Sequence, residues 1–239
     1  MNAAQTLKRL AALGSAQTRK VYANQGIQGE LFGVRYADLA QLQKEIGTDH
    51  ALAQALWKSG NHDARVLATM IADPERVSAP ELESWGKDVD NHPLADALAK
   101  LASRSRAARK VMTRWMSSKG EWTCAAGWAV LSRLIIDPDE FTEADFQGHL
   151  RTIEKTIHQS PNRVRYAMNG ALIAIGVSSE SLREKALAAA KRIGPVEVDH
   201  GLTGCQTPDA ADYIQKVLAY RNKKSAKARS HKSRAAARS

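Results

Sequence analysis

Asp96 is followed by no other acid until Glu121, and the interval carries Lys100, Arg104, Arg106, Arg109, Lys110, Arg114 and Lys119. A carboxylate at the edge of such a run is unusual beside a polyanion, because phosphate repels it. It becomes useful where positive charge develops at a sugar: a fixed carboxylate stabilises that charge while neighbouring cations hold the phosphates. Asn91-His92-Pro93 reads as the cap and first turn of a helix, which puts Asp96 near a positive helix end. The dipole there favours the ionised form by roughly 0.3–1 kcal/mol. A helix residue with no chemical role fits the same spacing, so both readings of Asp96 stand.

At 100° per residue, Arg106, Arg109, Lys110 and Arg114 share one helical face, and Ala108, Val111, Met112 and Trp115 share the other. One face can pack while the other meets phosphates, largely without reading base sequence. An ordinary solvated face shows the same pattern. The absence of interspersed acids favours anion binding, with Arg104 at the start of the stripe and Arg163 and Arg165 as further candidates.

Other reactive groups offer less. His200 and Cys205 lie close in sequence, with Asp209 and Asp212 beyond them, but no second Cys or His stands at a recognised ligand spacing. Thr207-Pro208-Asp209 is better explained as a helix start. Cys124 has no nearby His to activate it, and there is no glycine-rich phosphate loop and no nucleophile triad. The reading assigns no metal and no cofactor.

Helices must position these groups. Segments 36–46 and 49–58 pattern as a helical hairpin turning at Gly47-Thr48. Gly60 then ends one helix and Asn61 caps the next, in which Ala64, Leu67, Ala68 and Ile71 recur at i, i+3, i+4 and i+7. His62, Asp63, Arg65 and Thr69 fall elsewhere on that helix, which stops at Asp73-Pro74. Further helices are predicted over 80–87, 93–103, 106–117, 121–136, 143–159, 163–175, 181–193 and 208–220. Helices of about 10–15 residues, paired at intervals of roughly 35–45, predict an all-α fold built as an α-solenoid. HEAT-like repeats match that period best and imply a curved, partly basic surface; an irregular helical bundle satisfies the same periodicity.

Composition agrees with one helical domain over 1–220. Hydrophobic residues make up 44% of the 239, enough for a sizeable core, and aromatics only 5%, which argues against extensive sheet. The net charge is +10, yet 221–239 alone holds eight Lys and Arg and no acid, so the body carries only about +2. That tail has almost no large apolar side chains and is predicted to be disordered. Two cysteines point to a reducing compartment, and no apolar run is long enough to span a membrane, so a cytoplasmic protein is expected. The start, acid-free before Glu30 and carrying Lys8, Arg9, Arg19 and Lys20, also fits an organelle transit peptide.

FGVRYADL at 32–39, TDHALAQALWKSGNHDARVLATMIADP at 48–74 and the W-x-x-D segment at 85–88 leading to Asp96 together resemble the DNA alkylation repair enzyme family. EWTCAAGWAVLSRL at 121–134 and NRVRYAMNGALIAIG at 162–176 extend the resemblance over roughly residues 30–195. It implies HEAT-like repeats whose basic concave surface holds duplex DNA through phosphate contacts. It also implies a DNA glycosylase hydrolysing the N-glycosidic bond of N3- or N7-alkylated purines. A cationic base leaves readily, so a fixed carboxylate that stabilises the sugar cation and positions water suffices. Asp96 matches the catalytic aspartate. The family's Trp four residues earlier is His92 here, its Arg corresponds to Ala125, and a second Trp to Gly170. Those replacements remove stacking on the base and one phosphate anchor, and leave noncatalytic nucleic-acid binding, or a protein-interaction scaffold, as alternative functions.

Overall fold

The computed structural model describes residues 1–135 and 141–236, with side chains through Lys224. Among them are thirteen α-helices and no strand: α1 Ala3–Leu13, α2 Ala16–Asn24, α3 Tyr36–Ile46, α4 His50–Trp57, α5 His62–Ile71, α6 Ala79–Lys87, α7 His92–Ala102, α8 Ala108–Met116, α9 Glu121–Leu134, α10 Glu143–Thr156, α11 Asn162–Ser178, α12 Glu180–Ile193 and α13 Ala210–Ala236. A 3-10 turn at Ile157–Gln159 extends α10. Ile136, the end expected for the ninth helix, lies outside the described residues.

The helices form two layers. In one, α3, α5, α7, α9, α11 and α13 pack side by side in chain order. In the other, α4 covers α5, α8 covers α9, and α12 covers α11, with α6 beside α8 and α10 beside α12. This is the stacked-pair arrangement that the repeat period predicts, and one continuous core runs through it.

The centre of the stack shows how sequence enforces this. Asn61 caps α5 by accepting from the Ala64 amide at 3.2 Å, and Gly60 turns the chain at a φ of 76°. The four expected core residues of α5 are completely buried. His62, Asp63 and Thr69, which the periodicity assigned to other faces, are buried too, because α3, α4 and α7 enclose α5. Asp63 is accommodated because its carboxylate accepts three amides, from Phe32 at 2.6 Å, Gly33 at 3.0 Å and Val34 at 2.9 Å. The segment 32–39 is thereby clamped to the core. Gly33 is required twice over: its φ is 76°, and a Cβ would sit 2.6 Å from the Arg19 side chain.

Trp85 and Asp88 serve the same purpose. Trp57 and Trp85 stack at 4.3 Å and 4°, and the Trp57 indole donates to Asp88 at 2.8 Å. This motif therefore locks α4 to α6, upstream of the helix that carries Asp96.

Three features differ from expectation. The chain begins with two helices, α1 closed by a reciprocal Asn2–Gln5 capping box and α2 capped by Ser15. The pair that packs is α4 with α5, while α3 packs on α5, so 36–58 is no hairpin. Arg104 and Arg106 lie in turns before α8, not on its face. The last helix, α13, runs through Ala236. Ala, Lys and Arg are strong helix formers, and extending an anchored helix needs no new nucleus. The anchor includes Arg221, whose guanidinium donates to the Val177 carbonyl at 2.7 Å.

Candidate nucleic-acid interface

Asp96 opens into a cavity of about 340 Å³ built from one stripe of each of three adjacent helices. From α7 come His92, Ala95 and Asp96; from α9, Ala125, Ala129, Ser132 and Arg133; from α11, Arg163, Tyr166, Ala167 and Gly170. Each set follows a spacing of three or four residues, so each is the face its helix turns to the same side. The three positions where the resemblance expects larger groups, His92, Ala125 and Gly170, converge here around Asp96. Small side chains leave the space open, and a Cβ at Gly170 would meet nothing within 4 Å.

Asp96 lies in the second turn of α7, and its environment differs from the helix-end reading. Its carboxyl is raised above the ordinary range, chiefly through loss of solvent in the concave wall; Arg133 and then Arg163 pull it partly back. Water still reaches the group, which remains exposed at the cavity surface. His92 is pushed down to about 4 by burial first, then by Arg163, His200 and His62. It is neutral at pH 7. The pocket thus sets two guanidiniums against one carboxylate.

Arg163 is held in place from several sides. Glu121, in the first turn of α9, accepts the Arg163 amide at 2.7 Å and ties the start of α11 to α9. The guanidinium lies 5.6 Å from the centre of the exposed Tyr166 ring and within 3.5 Å of His200 Nδ1. His200 meets Tyr166 edge-on at 5.4 Å and bonds Thr207 at 3.0 Å. These contacts account for His200, and among the described residues no three His, Cys, Asp or Glu gather to hold a metal. No helix among them is long and apolar enough to cross a membrane.

The other expected cations are elsewhere. Arg104, Arg106, Arg109, Lys110 and Arg114 line no part of this cavity and accompany α8, in the opposite layer. Arg106 pairs with Glu75 at 2.8 Å, Arg109 with Asp145 at 3.3 Å, and Arg114 with Glu83. Arg109 also lies over the Phe141 ring at 4.8 Å. Arg104 bonds the Lys100 carbonyl at 3.2 Å, and Lys110 is exposed. The acids missing from 97–120 are supplied by neighbouring repeats, which a local charge count does not see. Lys185–Glu143 and Arg192–Glu154 continue this ladder to α12. Arg165 is half-buried on α11 and outside the cavity lining.

Sequence reasoning missed Arg133, Ser132 and Tyr166. The signal was present: Ala125, Ala129, Ser132 and Arg133 keep one helical register, starting from the position already matched to a functional Arg. Of the two tryptophans on α9, Trp128 is core, and Trp122 is half-buried at an adjoining cavity.

The chain matches, over residues 6–214, the family described as DNA alkylation repair enzyme. An uncharacterized protein of Listeria innocua serovar 6a is 32% identical over 214 residues, covering 87% of this chain and 93% of that protein. Another, from Listeria monocytogenes serovar 1/2a, is 31% identical over 214 residues with the same coverage of 87% and 93%. A solved structure has a TM-score of 0.84 at 32% identity, over 92% of this chain and 95% of that one. It is described as representing a new family of proteins related to the HEAT-like repeat DNA glycosylases with affinity for branched DNA structures.

Proposed function

Because the chain belongs to the DNA alkylation repair enzyme family, we propose that it binds DNA across the layer carrying the Asp96 pocket, prefers branched over linear duplexes, and does not excise alkylated bases. The observation that carries this reading is the composition of the pocket. An N3- or N7-alkylated purine is cationic, and so is the sugar left when it departs. Arg133 and Arg163 oppose both charges, and they are the two cations that already face the Asp96 carboxyl. His92 and Gly170 stand in place of the two tryptophan faces that the family's activity implies. The same two guanidiniums suit phosphate, where bidentate contacts and counterion release supply affinity.

Affinity for branched DNA is a described property of the structural relative, and it extends to this chain on the strength of 32% identity over nearly the whole fold. An open cavity with small walls and an exposed tyrosine accepts a strand leaving the duplex more readily than a tightly filled one.

The test is a pair of measurements on one preparation. Binding to a four-way junction is expected to exceed binding to a linear duplex of equal length, with no release of N7-methylguanine above background. Excision that disappears in Asp96→Asn would overturn the noncatalytic reading, and equal or absent binding to both DNAs would overturn the preference.

A further inference from the structure

A second cavity, of about 440 Å³, lies on the same layer toward the N-terminus, between α2, the start of α3, α5 and the Pro93 turn. Its volume falls in the ~300–1,000 Å³ range of sites that enclose small ligands. Tyr36 lines it with 53% of its surface exposed, and its floor is the Tyr22–His62 pair, edge-on at 5.5 Å. Gln17 and Gln25 border it with side-chain amides that make no hydrogen bond among the described residues. No carboxylate is among the lining residues, and Arg35, which does line it, is paired with Asp38.

This cavity adjoins the first through shared lining residues. Gln25 lines both it and a third cavity, which in turn shares His92 and Arg163 with the Asp96 pocket. Pro93 faces one end of the path, and its neighbour His92 faces the other. The third cavity is also lined by Glu121 and Asp199, whose carboxylates accept the Arg163 and Gly201 amides, so a strand whose phosphates engage Arg163 can continue toward Tyr36 across this adjoining surface. An aromatic floor, an exposed aromatic ring and unengaged amides match a nucleobase, which offers a π-face to stack and an edge to read. A paired base has neither free.

We propose that the Tyr36 cavity is a binding site for an unpaired nucleobase of the DNA held at the Asp96 pocket, with Tyr36 stacking on the base and Gln17 and Gln25 contacting its edge. The inference rests on the DNA-binding reading above and adds a reason for a branch preference: junctions and flaps supply unpaired bases.

The test compares two DNAs of one sequence, one fully paired and one with a single bulged 2-aminopurine. Wild type is expected to bind the bulged DNA more tightly and to quench its fluorescence. Tyr36→Ala is expected to lower the bulged-to-paired affinity ratio about fivefold or more, the scale of one lost base–aromatic stack, and to abolish the quench. Tyr36→Phe retains both, and Gln25→Ala, a second route that spares the ring, weakens the ratio. A ratio and quench unchanged in Tyr36→Ala, or lost equally in Tyr36→Phe, overturns the site while leaving DNA binding intact. Failure of wild type to bind either DNA overturns the DNA-binding reading itself.

Discussion

At the scale of single residues, the pocket turns on what surrounds a titratable group. His92 has a folded pKa of about 4 against an ordinary 6.5. Between those values the unfolded chain binds more protons than the folded one, so stability falls as pH drops from about 6.5 toward 4. An NMR titration is expected to find the His92 ring neutral at pH 6, and His92→Gln is expected to flatten the pH dependence of stability. Two helical glycines predict opposite signs for one substitution. At Gly170 an added Cβ meets open space, so Gly170→Ala is expected to stabilise by about 1 kcal/mol. At Gly127 it would come within 2.5 Å of the Met116 backbone nitrogen, where α8 crosses α9, and Gly127→Ala is expected to destabilise by about 1–3 kcal/mol. Thermal or urea unfolding checks both. At this scale sequence identified Asp96 and the replaced positions at His92, Ala125 and Gly170, but placed Asp96 at a helix end. Only the neighbouring helices reveal Arg133 and Arg163 as its counter-charges.

At the scale of elements, charge that is locally one-sided is balanced across repeats. Arg106, Arg109 and Arg114 meet carboxylates 31 to 36 residues away in sequence, a separation at which no helical wheel pairs them. Lys185 holds Glu143, and Arg192 holds Glu154, below the usual carboxylate range, so their contribution is present above that range and is lost as pH falls through it. Exposed pairs of this kind contribute little individually. Arg114→Ala is expected to cost under about 1 kcal/mol in denaturant unfolding and to leave DNA affinity within about twofold, since a single surface charge far from the DNA falls outside the Debye length. The helices themselves were largely legible, because caps such as Asn61 and Ser78 and the apolar period of α5 are local signals. Which helices pair was less so. Asp63 buries its carboxylate against the amides of 32–34, and that long-range bond makes α5 central where its polar residues suggested an exposed face.

At the scale of the molecule, the HEAT-like stack places different features on its two layers. One is stapled by ion pairs; the other carries the Asp96 pocket and the surface leading to Tyr36. The length of the chain and its repeat period made this architecture readable, whereas the layer proposed to bind DNA was not, since a stripe of arginines looks alike whether it faces phosphate or a neighbouring carboxylate. Removing residues 221–239 is expected to leave the fold intact while lowering DNA affinity and the steepness of its salt dependence, because eight cations leave with the tail. The most direct test of the central claim is a salt titration of junction binding by two double variants, Arg133→Ala/Arg163→Ala and Arg106→Ala/Arg114→Ala. The pocket pair is expected to lose affinity and reduce the salt slope by about two, with the α8 pair close to wild type. The reverse pattern would contradict the account and put DNA on the opposite layer.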